Sequence, residues 1–377
     1  MKNRISVGFP LMQEEPGEKR VFLPDFTRQL TEFGFEVFLE EGYGNALDFY
    51  FDDYKNENPF IHSVERETVF IKDYVLILRA PSKDEYPLMG KNSCLLSMLH
   101  FPTRPARVAV INELDMQAIS LDGVVDDFNK RLVENMKAVA WNGLEVAFTQ
   151  FSRNNPAIIK SNRKPWHVLV IGTGEVGKHA VDAASKLGRR ERNRLHIEQS
   201  GAGVIVRVVG RNITNQPDQI IKLLADTDMV VDATQRANPS KPIIRNAWLS
   251  HLPAHAIIVD LSVDPYSLDT HPPVVKGIEG IPQGNLDKYV FEKDDPDWEQ
   301  TIPADIPTEN RRLTVSCYSW PGIHPEACMR HYGHQIRRLM RVLSEKNYQT
   351  LSSDGLYFER ALYKARVHTF LQDNKSQ

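Results

Sequence analysis

Short apolar runs alternate with amphipathic stretches along most of the chain, the pattern of parallel strands joined by helical crossovers. Residues 4–8 predict a strand, 25–34 a helix, 35–39 a second strand and 74–78 a third, which together make a first α/β unit. Leu132, Val133, Met136, Val139, Ala140, Leu144, Ala147 and Phe148 recur at helical spacing, so 131–151 reads as one amphipathic helix. It runs into the breaker Asn154-Asn155-Pro156. A second series then predicts strand 167–171, helix 175–187, strand 204–209, helix 217–225, strand 229–233, a helix near 244–250 and strand 256–261. The polar, proline-bearing stretch 285–312 predicts a surface excursion, and 325–346 returns to a helical period. A long helix leading out of the first unit and another following the second predict that the C-terminus goes back to the first. Residues 1–152 and 323–377 then form one domain, with 153–322 inserted into it.

A length of 377 residues agrees with two domains, since it exceeds what one hydrophobic core usually carries. With 25% charged residues and a formal net charge of −3, the chain has no basic field for nucleic acid or anionic lipid, and neither is expected as a partner. The N-terminus MKNRISVGFP lacks the apolar stretch of a signal peptide, and no run approaches the roughly 20 apolar residues that span a bilayer. Three cysteines, Cys94, Cys317 and Cys328, show no paired spacing and fit a reducing compartment. The expected location is the cytoplasm. The sequence leaves the subunit number open, a homo-oligomer included.

Chemistry enters at Val168–Ile171, an apolar run followed by Gly172-Thr173-Gly174-Glu175-Val176-Gly177 and an alanine-rich helix. The first glycine permits a tight turn, the second lets backbone approach a pyrophosphate, and the third allows close packing of helix on strand. The unpaired N–H groups of the helix start favour an anion there. A structural glycine turn is the plain alternative, but the strand before and the helix after point to a nicotinamide dinucleotide. The fold class expected is therefore α/β: two Rossmann-like, doubly wound parallel sheets, the dinucleotide domain inserted into the first.

Which dinucleotide depends on the second strand, whose end usually carries an acidic ribose ligand about 20 residues on. A strand at 204–209 ends in Gly210-Arg211-Asn212, where an arginine suits a 2′-phosphate and favours NADP(H) over NAD(H). Glu198, behind Leu195-His196-Ile197, is the competing acid of an NAD site. A solvated turn is the other reading of Arg211.

Several short motifs resemble the superfamily of alanine dehydrogenase, saccharopine dehydrogenase and pyridine nucleotide transhydrogenase. Glu18-Lys19-Arg20-Val21 with Pro24 is similar to its "ENRVALTP" element, Leu76–Pro81 to "LLLKVKEP" and Ser97–His100 to "TYLH". Val259–Asp264 is similar to "IVDVAVD" and Trp320-Pro321-Gly322 to "NMPG". Val125–Val133 and His271-Pro272-Pro273 are more similar to saccharopine-forming and saccharopine dehydrogenases than to alanine dehydrogenase.

The resemblance implies an enzyme acting on a C–N bond, with an amino acid and a 2-oxo acid as reactants. The leading reading is opine- or saccharopine-type condensation; the alternatives are oxidative deamination of a simple amino acid such as alanine, and a non-catalytic nucleotide sensor. It implies a general acid/base at His100, just past an apolar strand, and a polar anchor at the reacting carbon at Asp264. Arg20 is implied as a carboxylate clamp, and Arg131, with Lys130, as a contact for a second carboxylate or the cofactor. Arg79 stands where the family usually has lysine; arginine stays protonated, so it clamps a carboxylate but moves no proton. Pairing with Asp84 or Glu85 is the surface alternative. His324, Cys328, His331 and His334 offer zinc-like spacing, but Pro325 and the Trp-Pro-Gly turn account for that segment as a helix start, and no metal is expected.

Overall fold

The computed structural model describes residues 4–13, 15–155, 164–236, 238–262 and 264–375. Pro156 of the breaker and Val263 of the strand motif lie outside the described residues. The chain divides into two compact units, Met1–Asn135 with His324–Gln377, and Met136–Ile323.

In the first unit, β1 (Ile5–Phe9), β2 (Phe35–Glu40), β3 (Ile61–Val64), β4 (Tyr74–Arg79), β5 (Cys94–Met98) and β6 (Gln117–Ser120) form a parallel sheet ordered β3-β2-β1-β4-β5-β6. The run Tyr74–Leu78 is buried at every position, as helices on both faces of a parallel sheet require. β3 and β6 have four residues each and too little apolar pattern to be read from sequence. The order reverses between β1 and β4. The chains leaving these two strands diverge there, and doubly wound sheets use such a crevice for ligands. Helices Pro24–Glu32 and Pro325–Glu345 cover one face, where Leu30, Met329, Ile336, Leu339 and Met340 join Phe9 and Phe35 in one core.

The long helix expected at 131–151 instead spans Met136–Asn154. Its expected first turn is diverted by Asp126, whose carboxylate accepts the N–H groups of Phe128 and Lys130 at 2.8 Å each, while Asn129 takes a left-handed φ of 61°. Val125 then bridges Arg131, making 125–131 a tight turn. Leu132 and Val133 are apolar because they pack on the first core, not because they begin the helix.

The second unit holds β7 (Trp166–Ile171), β8 (Val204–Val209), β9 (Met229–Asp232), β10 (Ile257–Asp260), β11 (Val290–Phe291) and β12 (Leu313–Ser316), ordered β11-β12-β10-β9-β7-β8. Within this sheet, among the described residues, only the β11–β12 pair is antiparallel. Helix Met136–Asn154 packs Ala140, Leu144, Ala147 and Phe148 against Val168, Val170 and Ala183. Residues 285–312 are not wholly an excursion: β11, helix Trp298–Thr301 and buried Phe291, Trp298 and Ile302 give the segment a small core. The helix expected near 244–250 is a tighter 3₁₀ segment, Asn246–His251. This sheet reverses between β7 and β9, which puts the turn after β7 at its switch point.

Candidate functional site

β7 ends at Ile171, and Gly172 turns the chain with φ 116°; a Cβ there would stand 2.4 Å from the carbonyl oxygen of Ala233, just past β9. Gly174 precedes helix Glu175–Ser185 and has nothing within 4 Å of its missing Cβ. At Gly177 a Cβ would meet the Gly172 carbonyl oxygen at 2.2 Å. The three glycines thus serve a tight turn, an open approach and a helix–strand contact, the division a pyrophosphate cradle needs. Thr173, Gly174 and Glu175 are exposed at the helix start, whose N–H groups suit an anion.

Gly210, at the end of β8, has Thr173 of this turn as its neighbour. Arg211 and Asn212 open the next short helix and are exposed, and Arg211 donates to the Gln235 carbonyl at 3.3 Å. Glu198 is not at a strand end. The stretch Leu195-His196-Ile197 belongs to helix Arg190–Glu198, with Leu195, Ile197 and Glu198 exposed, so its alternation is helical surface.

In the first unit, His100 follows β5 with φ 53°, a left-handed conformation rare outside glycine and costly unless the surroundings impose it. Asp122, just past β6, imposes it: Oδ1 accepts the His100 backbone N–H at 3.0 Å and the Ser120 hydroxyl at 2.7 Å, and Oδ2 lies 3.1 Å from His100 Nδ1. Burial pushes the Asp122 carboxyl up, but the hydrogen bonds and charge of His100 outweigh burial and hold it well below the usual carboxylate range. In neutral imidazole this pairing puts the proton on Nδ1 and the lone pair on Nε2. The ring keeps 45% of its side chain exposed.

Arg79 ends β4, where the register against β5 slips by one residue between Leu76 and Arg79. Its guanidinium meets Glu15 at 2.8 Å, not Asp84 or Glu85; Glu85 pairs with Arg66. Arg20 is buried and forked onto Glu18 at 2.9 and 2.5 Å, so an anion reaches it only by displacing or sharing Glu18. Arg131 and Lys130 are exposed on the 125–131 turn. Cys328 is buried beside Arg20 and Asn135, and His331 bonds the Glu134 carbonyl at 2.9 Å. Among the described residues no three histidine, cysteine or acidic groups are placed to hold a metal.

Three groups beyond the sequence reading, Arg236, Asp260 and Asp232, belong to the second unit. Asp264 is held by Arg236 at 2.7 Å. Asp260, the last residue of β10, is fully buried with Lys276 at 2.6 Å and Ser316 at 3.0 Å; burial raises its pKa, but Lys276 outweighs it and lowers the balance. Asp232, the last residue of β9, accepts from the N–H and hydroxyl of Thr234 through Oδ1, while Oδ2 is buried without a hydrogen-bond partner among the described residues. Burial and then the nearby Asp260 push the Asp232 carboxyl up to about 7. An acid ending an apolar strand, as in MVVD and IIVD, was the available signal for both.

Fold and glycine cradle define a dinucleotide-binding protein, and the family matches make it a nicotinamide-dinucleotide-dependent dehydrogenase. Residues 11–140 match the alanine dehydrogenase/PNT N-terminal domain and 154–266 the alanine dehydrogenase/PNT C-terminal domain, and the chain belongs to that family. Alanine dehydrogenase 1 of Staphylococcus aureus strain NCTC 8325 / PS 47 is 24% identical over 265 residues, covering 66% of this chain and 70% of that protein. A solved L-alanine dehydrogenase superposes with TM-score 0.70 at 18% identity, over 98% of this chain and 99% of that one. The transhydrogenase from Sinorhizobium meliloti gives 0.54 at 14% identity, over 90% and 94%.

Asp232 gives the second unit a pH signature. Its pKa rises from 3.8 unfolded to about 7 folded, so the folded chain keeps a proton that the unfolded chain releases between those values. Stability contributed by this group therefore falls as pH rises through that window and stays low above it. Asp232→Asn, neutral throughout, is expected to raise the thermal midpoint at pH 8, by on the order of a few kcal/mol of stability, with the gain fading towards pH 4. A gain equal at both pH values would show that Asp232 is not protonated in the fold.

Proposed function

We propose that the chain catalyses an opine- or saccharopine-type reaction, in which the amine of an amino acid condenses with a 2-oxo acid and the resulting C=N bond is reduced, or the reverse. The observation that carries this reading is the His100–Asp122 pair, at the strand end beside that of Arg79. Protonated His100 gives its proton to the carbinolamine hydroxyl as water leaves, and neutral His100 takes it back in the reverse direction. Asp122 holds the ring in one orientation, with Nδ1 towards the carboxylate. Arg79 serves as a carboxylate anchor in place of the family lysine, with Glu15 holding its guanidinium until substrate arrives. Arg20 serves as a further carboxylate clamp once Glu18 is displaced or shared, and Arg131 with Lys130 offers cations for a second carboxylate. In the second unit, Asp264 steadies the polar group at the reacting carbon.

A dinucleotide held at Gly172–Gly177 supplies or accepts the hydride. The cofactor of this reading is NADP(H): Arg211 follows β8 and no acid stands in Gly210-Arg211-Asn212. A second reading, oxidative deamination of alanine itself, is favoured by the names of the Staphylococcus aureus relatives.

Loss of NADPH absorbance separates the two readings. L-Lysine with 2-oxoglutarate, and related amino acid–oxo acid pairs, are expected to turn over faster than ammonium with pyruvate; the opposite order favours alanine. On the best pair, His100→Ala is expected to lower kcat by roughly 10²–10⁴-fold at unchanged NADPH affinity, and retention of more than about a tenth of kcat would contradict the acid/base role. Arg211→Asp replaces a phosphate donor by a repelling charge and is expected to weaken NADPH at least about tenfold more than NADH. Equal losses would remove Arg211 from the cofactor site.

A further inference from the structure

We propose that Arg236 is a positioning residue for Asp264, fixing which carboxylate oxygen faces the substrate; this rests on the reading that Asp264 acts at the reacting carbon. Only 4% of the Arg236 side chain is exposed, and a guanidinium so enclosed must have its donors satisfied. Nη1 donates to the carbonyls of Pro239, Lys241 and Lys276 at 3.1, 3.0 and 3.4 Å, and Nη2 donates to the Val275 carbonyl. These acceptors belong to two backbone segments, 239–241 and 275–276, joined where the Val275 N–H donates to Pro239 at 3.0 Å. The guanidinium plane is thus set by backbone before any side chain meets it.

Asp264 is the one carboxylate among its hydrogen-bond acceptors in the described residues. Nε and Nη2 approach the same oxygen, Oδ2, at 3.3 and 2.7 Å, while a third of the Asp264 side chain stays exposed. With Oδ2 committed, Oδ1 is the oxygen turned to a substrate N–H or O–H. Asp264 follows β10 on irregular backbone, where no strand register fixes its side chain. An arginine locked on two other segments supplies the missing constraint, and its planar fork does so better than a lysine's single flexible ammonium. Holding a catalytic group in its productive orientation is worth as much as its presence: displacement by about 1 Å costs on the order of 100-fold.

A double-mutant cycle on kcat tests this, with L-lysine and 2-oxoglutarate, or pyruvate and ammonium where the wild type prefers that pair. Arg236→Met is expected to lower kcat about 10–100-fold with NADPH affinity, read by fluorescence titration, within about twofold of wild type. Arg236→Lys is expected to fall between the two, and serves as the test if the methionine variant does not fold. In an Asp264→Asn background either substitution is expected to cost nothing further, because the residue it positions is gone. Losses that multiply in the double variant, or that track weaker NADPH binding and a lower thermal midpoint, would overturn the inference and make Arg236 a staple of the two segments. An Asp264→Asn variant with unchanged kcat, or a wild type turning over neither pair, would instead overturn the underlying reading and the inference with it.

Discussion

The contact on which the dinucleotide half of the molecule depends is the approach of Gly177 to the carbonyl oxygen of Gly172, where a Cβ would stand 2.2 Å away. No side chain fits between them, so the helix starts directly on the end of β7 and its first N–H groups face the open space at Gly174. The same turn lies at the reversal of the sheet between β7 and β9, where Gly172 presses on Ala233. Strand order, glycine spacing and helix start therefore answer one requirement: bringing backbone, not side chains, up to a phosphate.

The candidate substrate residues are held by a different device, in which carboxylates fix the groups proposed to do the chemistry. Asp122 holds His100 through backbone and ring together and makes a left-handed histidine tolerable. Glu15 holds Arg79, and Glu18 encloses Arg20. In the second unit the roles are exchanged, since Arg236 holds Asp264. Glu18 and Arg20 lie two residues apart on one segment, whereas each of the other three pairs joins residues from separate segments at or near strand ends. A parallel sheet permits this because its strand ends and their loops collect on one edge.

Legibility in the sequence followed the range of the interactions. The strand, glycine loop and helix at 166–185 are legible because their constraints are local, and the apolar run 204–209 coincides with β8. The helix begins at Met136, five residues after the start that the helical spacing predicts, because Leu132 and Val133 continue that spacing while the Asp126 turn dictates the backbone. Glu198 looked like the end of a strand because three residues cannot distinguish alternation from the face of an exposed helix. His100, Arg79 and Asp264 stood out through family resemblance. Their partners lie 22, 64 and 28 residues away, and no local pattern announces a pairing across such distances. Arg79 illustrates this, since the sequence offered Asp84 and Glu85 and the fold delivers Glu15.

The central claim is that hydride passes between a nicotinamide and the carbon of an amino acid's C–N bond, and isotope tracing tests it most directly. NADPH carrying deuterium at the transferred position of C4 is incubated with enzyme, L-lysine and 2-oxoglutarate, and the product is read by mass spectrometry and proton NMR. The account predicts a secondary amine with one deuterium on the carbon that was the oxo carbon of 2-oxoglutarate. Deuterium in a 2-hydroxy acid, with no new C–N bond, would contradict it.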